Sequence, residues 1–312
     1  MTKNTKGIIL AVASALAVSN VFIFSKAALK EVHLAQFGVY WFGLGIIWNL
    51  VFIIALKKHK KIALLERSSF MALGLISFLE MFATIFFFLA INTVDNPTIV
   101  SFLANINPFI ITVLGFFLLK ERFNLTEGFG MAITLIGAFI ISFKGSVLGE
   151  LFINGTQYVV LSGIIYAFSN IVAKKNIKKL DASFLAMSRL LLLFIASFGS
   201  MLYFNLSFEL PKSAMINISI GSVLGPFFTA TLGYLALKYI EISKASMISS
   251  VRSLFVLIGS FLFFGNIPGS IQLIGGTFTI LGVILISMGK IRLKRNAAVK
   301  RQETGAKNQD IR

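Results

Sequence analysis

The chain alternates between long, continuous apolar blocks and short polar or basic ones. A hydrocarbon core of about 30 Å takes roughly 20 mostly apolar residues of helix. Backbone groups in lipid must be hydrogen-bonded within their own segment, so helix is the default. Ten blocks meet the requirement: 7–29, 34–56, 69–91, 97–119, 125–143, 157–174, 183–205, 217–237, 244–264 and 270–289. A transmembrane barrel needs short alternating strands, which continuous apolar runs exclude. The first block follows Lys3 and Lys6 as in a signal peptide. Its apolar stretch is too long for one and carries no evident cleavage site, so it reads as a retained span.

Composition agrees with this pattern. The 312 residues are 57% hydrophobic and 13% charged, with a mean hydropathy of +0.88; a soluble domain is nearer ~25% charged. Cysteine is absent and histidine occurs only as His33 and His59, which removes thiolate metal sites and Cys nucleophiles. No HExxH, GxSxG or GxxxxGK[ST] motif appears, so no cofactor and no metal are expected. The net charge of +17 would suit nucleic acid on a folded soluble domain. Here the basic residues sit between apolar blocks, and that reading fails.

Lys and Arg collect in cytoplasmic loops. With the N-terminus inside, 23 of the 29 basic residues fall on the inner side and four, Lys26, Lys30, Lys144 and Lys212, on the outer. Arg189 and Arg252 lie within spans. Both termini are therefore expected to be cytoplasmic. The basic tail from Lys290 reads as an anchor near anionic lipid. Frequent Lys, Ile, Phe and Asn suit a bacterial inner-membrane protein.

The second half repeats the first. Residues 114–142 match 259–287 without a gap at an offset of 145, setting Gly130 on Gly275, Gly137 on Gly282 and Ser142 on Ser287. FFFLAI (86–91) aligns with LGYLAL (232–237) at 146, and Ser19-Asn20 with Ser169-Asn170 at 150. An odd number of spans per half makes the halves enter the membrane from opposite sides, and inverted repeats with a site at their interface are a recurring transporter design. The expected organisation is an N-terminal segment 1–6, five-helix repeats at 7–143 and 157–289, and a cytoplasmic tail at 290–312.

Several stretches resemble the drug/metabolite transporter superfamily, in its two-domain EamA-type branch. They are SNVFIFSK (19–26), LAINTVDNPTIVSFLANINPF (89–109), LKER (119–122), Met187-Ser-Arg-Leu190 and ALKYIEISKA (236–245). The resemblance covers roughly residues 8–288. The glutamate ending span four is Glu121, but its second-half counterpart is Asn266. The resemblance implies that spans one to four and six to nine surround a central cavity, with spans five and ten outside as supports. It also implies export or exchange of small metabolites, and it raises Lys26 as a contact residue.

Ionisable residues inside spans cost about 2.5–3.5 kcal/mol on insertion scales and face protein or water. Glu80 lies eleven residues into span three, about 16 Å deep at 1.5 Å per residue. Ser77 and Thr84 share its face. It either binds a cationic group or exchanges a proton, or it serves as a structural partner for an arginine. Arg252 lies at comparable depth in span nine. The repeat sets it on Asn107, beside Pro108 in the polar stretch Asn105-Ile-Asn107-Pro108. Its planar fork suits a carboxylate or phosphate; alternatively it neutralises Glu80, near which it is expected to sit. Arg189, six residues from the inner end of span seven, is expected to snorkel to the interface in an anchoring or gating role. Asn20 and Asn170 tie helices together or line the cavity. Pro226 falls opposite Glu80 in the repeat; it and Pro108 free backbone carbonyls, as a hinge or as an ordinary kink. Tyr40, Trp41 and Tyr234 are cavity-wall candidates, or else lipid contact and interfacial belt.

Away from the span ends, where Glu127 sits, one carboxylate (Glu80) and two arginines lie within the spans and suggest an anionic or zwitterionic small-molecule substrate, such as an amino acid or organic acid. The reading is an all-α polytopic secondary transporter that alternates access between inverted halves, with protons as the coupling ion. The alternatives are a lipid or lipid-linked carrier flippase and an uptake permease of the same fold. An intramembrane enzyme needs paired carboxylates or a nucleophile–base pair, which the spans lack.

Overall fold

The computed structural model describes residues 3–57, 67–107, 109–111, 113–114, 125–142, 153–176, 180–240, 245, 248–249, 251–285 and 288. Pro108 and the Lys120–Arg122 end of span four lie outside them, as does the tail beyond 288. The described residues form helices: α1 (Lys3–Leu29), α2 (Leu34–Ala55), α3 (Arg67–Thr93), α4 (Pro97–Leu103, passing into a 3-10 turn at Ala104–Ile106), α5 (Leu125–Ser142), α6 (Thr156–Asn176), α7 (Ala182–Tyr203), α8 (Lys212–Tyr239), α9 (Arg252–Phe264) and α10 (Ser270–Leu285). Among the described residues α1, α2, α3, α6, α7 and α8 are long and apolar enough to cross a membrane, and α5, α9 and α10 are shorter apolar helices.

Helix starts follow local chemistry. His33 accepts from the Ala35 N–H while the Gln36 side chain accepts from the His33 N–H, a capping box at α2. Asn96 caps α4 ahead of Pro97, and Asp181 caps α7. Gly265, with φ +67°, closes α9 in the left-handed region open to glycine. In α8 a π-helical stretch, Val223–Thr229, surrounds Pro226. Proline cannot donate and clashes with the preceding turn, and the wider turn absorbs the mismatch. The Thr229 carbonyl then accepts from Ser14 Oγ at 3.0 Å, tying α8 to α1.

Packing partners come in matched pairs. α3 packs on α6, as α8 packs on α1; α3 meets α7, as α8 meets α2; α1 meets α9, as α6 meets α4. α2 lies against α7 and α4 against α9. α5 and α10 touch through backbone. A Cβ on Gly137 would stand 2.7 Å from the Gly275 carbonyl, and one on Gly282 2.7 Å from the Gly130 carbonyl. Only glycine permits that approach. The main apolar core lies between the halves, with Phe22, Phe37, Trp41 and Phe88 among its buried rings. The bundle's outer surface is apolar too, with Met71, Phe139, Ile195 and Leu262 exposed, which a bilayer would cover.

Candidate functional site

A cavity of about 310 Å³ lies between the halves. Its described lining comes from α1 to α4 and α6 to α9, together with Ala245 and Ser249 ahead of α9, and not from α5 or α10. Its lining combines aromatic residues, Phe22, Trp41, Phe42, Phe87 and Phe88, with a polar group that carries Glu80, Arg189 and Arg252.

Glu80 is the hub of the polar group. Its Oε2 pairs with Arg189 Nη1 at 2.8 Å. Its Oε1 accepts from Ser169 Oγ at 3.1 Å and from Tyr234 Oη at 3.3 Å. Four helices, α3, α6, α7 and α8, thus meet at one carboxylate. Beside it Thr84 and Tyr166 share a hydrogen bond at 2.9 Å, and Ser77 Oγ donates to Ser188 Oγ at 2.7 Å. The side chain of Glu80 is 4% exposed and that of Arg189 15%. This corrects two expectations. Arg189 does not snorkel: its guanidinium turns inward to Glu80, whose buried carboxylate would otherwise be an uncompensated charge. Glu80 is paired with Arg189 rather than with Arg252.

Arg252 stands apart from that pair. Its Nη2 donates to the Ala104 carbonyl at 3.2 Å, in the 3-10 turn that follows α4, an oxygen that also accepts from the Asn107 N–H. Its Nε is buried without a hydrogen-bond partner, and among the described residues no carboxylate pairs with it. Asn105 Nδ2 donates to Ser253 Oγ at 3.1 Å, which donates in turn to the Ser101 carbonyl. The Oδ1 atoms of Asn105 and Asn107 are buried without partners. A cavity-lining guanidinium without a carboxylate partner among the described residues can take a ligand carrying an anionic group.

Of the remaining sequence candidates, Asn170, Thr84, Trp41 and Pro226 line the cavity. Three do not belong to the described wall, and each has a different occupation. Tyr40 donates through Oη to the Phe208 carbonyl in the α7–α8 connection, at the rim of the bundle. Asn20 donates to the Leu16 carbonyl one turn back in its own helix, which satisfies it without a second helix. Lys26 is buried and donates from Nζ to the Ile91 and Asn92 carbonyls, at 3.0 and 3.1 Å. Sequence reasoning passed over Tyr166, Ser169 and Ser162. The spacing of Ser162, Tyr166, Ser169 and Asn170 along α6 was the available signal, a polar stripe at helical intervals.

The sequence model of the EamA-like transporter family matches residues 5–143 and again 153–288. No curated protein matches the chain in sequence. Among solved structures, one titled "Crystal structure of protein" is 15% identical with a TM-score of 0.60, covering 88% of this chain and 98% of that one; at that identity the likeness shows the fold. The double match accounts for nearly all of the apolar helices and for the lining of the cavity, and the chain belongs to the EamA-like transporter family, a multi-pass membrane transporter of the drug/metabolite type.

Proposed function

We propose that the chain is a secondary transporter that exports or exchanges a small anionic or zwitterionic metabolite by alternating access between two inverted five-helix halves, with both termini cytoplasmic. Arg252 carries this reading. It is a cavity-lining guanidinium without a carboxylate partner among the described residues. Glu80 and Arg189 cancel, so the charged residues of the described wall leave a net charge of +1, which favours an anionic group. The aromatic residues of the lining offer contact to the rest of the ligand. The matched packing of the helices and the repeated family match support two related halves. The distribution of Lys and Arg supports the orientation. The sequence contains no Walker-type motif, so the driving force is assigned to an ion gradient or a counter-substrate. Glu80 is the intramembrane carboxylate able to exchange a proton, and coupling would run through breaking and remaking its pair with Arg189.

The test is metabolite profiling of the medium of cells expressing the intact protein, Arg252→Gln, Glu80→Gln or an empty vector, at matched membrane abundance. A carboxylate- or phosphate-bearing compound should accumulate outside with the intact protein and fall to vector level with Arg252→Gln. Accumulation of a permanently cationic compound would overturn the substrate class. Export by Glu80→Gln at the intact rate, independent of pH, would remove the proton role.

A further inference from the structure

The seam between α3 and α6 joins the two halves of the chain through side-chain hydrogen bonds along one face of α6. Ser162 Oγ donates to the Ala83 carbonyl at 2.8 Å, Tyr166 Oη and Thr84 Oγ1 share a bond at 2.9 Å, and Ser169 Oγ donates to Glu80 Oε1 at 3.1 Å. The equivalent seam joins α8 to α1, where Ser14 Oγ donates to the Thr229 carbonyl at 3.0 Å. The repeat sets Ala83 on Thr229, so a serine-to-carbonyl tie serves both seams. The tyrosine–threonine pair serves only one. The same offset carries Thr84 onto Ala230, and the offset that aligns Ser169-Asn170 with Ser19-Asn20 carries Tyr166 onto Leu16. Holding such a seam together therefore does not require the pair.

Tyr166 is half-buried and lines the cavity with Thr84 and Arg252. On one side stands the Glu80–Arg189 pair. On the other, the 3-10 turn after α4 comes up against α6. A Cβ on Gly163, one turn from Tyr166, would stand 2.3 Å from Asn107 Oδ1, and Asn107 follows by one turn the Ala104 carbonyl that Arg252 holds. Tyr166 is near enough to Glu80, Arg189 and Arg252 to interact electrostatically with all three. A phenol can donate once and also accept. The hydrogen-bond partner of this one among the described residues is Thr84, whose hydroxyl can take either role. With Thr84 donating to Tyr166, the phenolic proton is free for a ligand.

We propose that Tyr166 is a ligand-binding residue of the cavity: Thr84 donates to its oxygen, and its own proton is donated to the anionic group held by Arg252. This assignment rests on the substrate class proposed above. A hydroxyl donates more strongly to an anion than to a neutral acceptor, and a donor behind it strengthens the bond. Tyr166 thereby adds to the preference for a carboxylate over its neutral amide.

The probes are para-fluorobenzoate, which joins a ring for the aromatic residues to a carboxylate for Arg252, and para-fluorobenzamide, its uncharged counterpart. Binding of each to the detergent-purified protein is read from the fluorine resonance of the probe. The intact protein should bind the benzoate more tightly. Tyr166→Phe should weaken the benzoate about tenfold, as loss of a hydrogen bond to a charged group implies, and the benzamide much less. Thr84→Val should weaken the benzoate in the same direction by a smaller factor. Tyr40→Phe is the control, because that hydroxyl is bonded to the Phe208 carbonyl at the rim, and it should change neither affinity. An unchanged benzoate affinity in Tyr166→Phe, or an equal loss for both probes, overturns the assignment. If that variant does not fold, Thr84→Val decides, and an unchanged ratio of the two affinities there overturns it. An intact protein with no preference for the benzoate overturns the substrate class and this assignment with it, whereas a preference that survives Tyr166→Phe overturns the assignment alone.

Discussion

Arg189 Nη1 lies 2.8 Å from Glu80 Oε2, joining residues 109 positions apart and belonging to different halves of the chain. Ser169 and Tyr234 donate to the other oxygen of the Glu80 carboxylate. The pair lets two ionisable side chains occupy the membrane-buried interior, where either alone would be costly.

Removing one partner should therefore be worse than removing both. Glu80→Gln leaves Arg189 buried without its counter-charge and should cost about 3–5 kcal/mol of stability. Glu80→Gln with Arg189→Met should recover part of that loss. Thermal unfolding of the detergent-purified variants measures both. Equal losses in the single and double variants would mean that the pair is not the reason the two residues tolerate burial.

Arg252→Gln should behave in the opposite way. No carboxylate depends on Arg252 among the described residues, so the midpoint of unfolding should shift little while binding of the exported compound is lost. A large drop in stability would place Arg252 with the structural residues.

The α5–α10 crossing should be intolerant of a single methyl. A Cβ on Gly275 would stand 2.8 Å from the Gly137 carbonyl and 2.8 Å from Ile141. Gly275→Ala should then cost about 1–3 kcal/mol by overpacking. Gly74, where an added Cβ meets nothing within 4 Å, provides the matched control, and Gly74→Ala should be neutral or slightly stabilising.

Gly221 sets the position of the Trp41 ring, since an added Cβ would lie 2.2 Å from the indole. Gly221→Ala should drive the ring toward the cavity and weaken ligand binding severalfold. Trp41→Phe in the same chain should restore affinity by vacating the space. Equilibrium binding to the three proteins checks this, and an unchanged affinity in Gly221→Ala would show that the ring yields in another direction.

Much of the fold was legible because apolar length is a one-dimensional property. The blocks at 34–56, 69–91, 157–174 and 183–205 lie close to α2, α3, α6 and α7. The block at 217–237 begins later than α8 because Lys212 and Ser213, in the first turn of the helix, are polar. Pro226 was legible as an irregularity, but its π-helical form depends on how α1 and α8 meet. The site was less legible. Depth along a helix led to snorkelling for Arg189, whereas its true partner is set by which faces of α3 and α7 pack together. Glu80, Thr84 and Asn107 announced themselves as polar residues in apolar runs. Tyr166 did not, since a tyrosine in a span reads equally well as an interfacial aromatic.

The burial of Trp41 gives the protein an optical reporter of its own. There are two tryptophans. Trp48 is 40% exposed on the apolar outer face, whereas Trp41 is 1% exposed and borders the cavity. In a Trp48→Phe background the near-ultraviolet emission comes from one indole at the wall of the site. Occupancy of the cavity can then be followed in real time, without a radioactive or dye-labelled ligand.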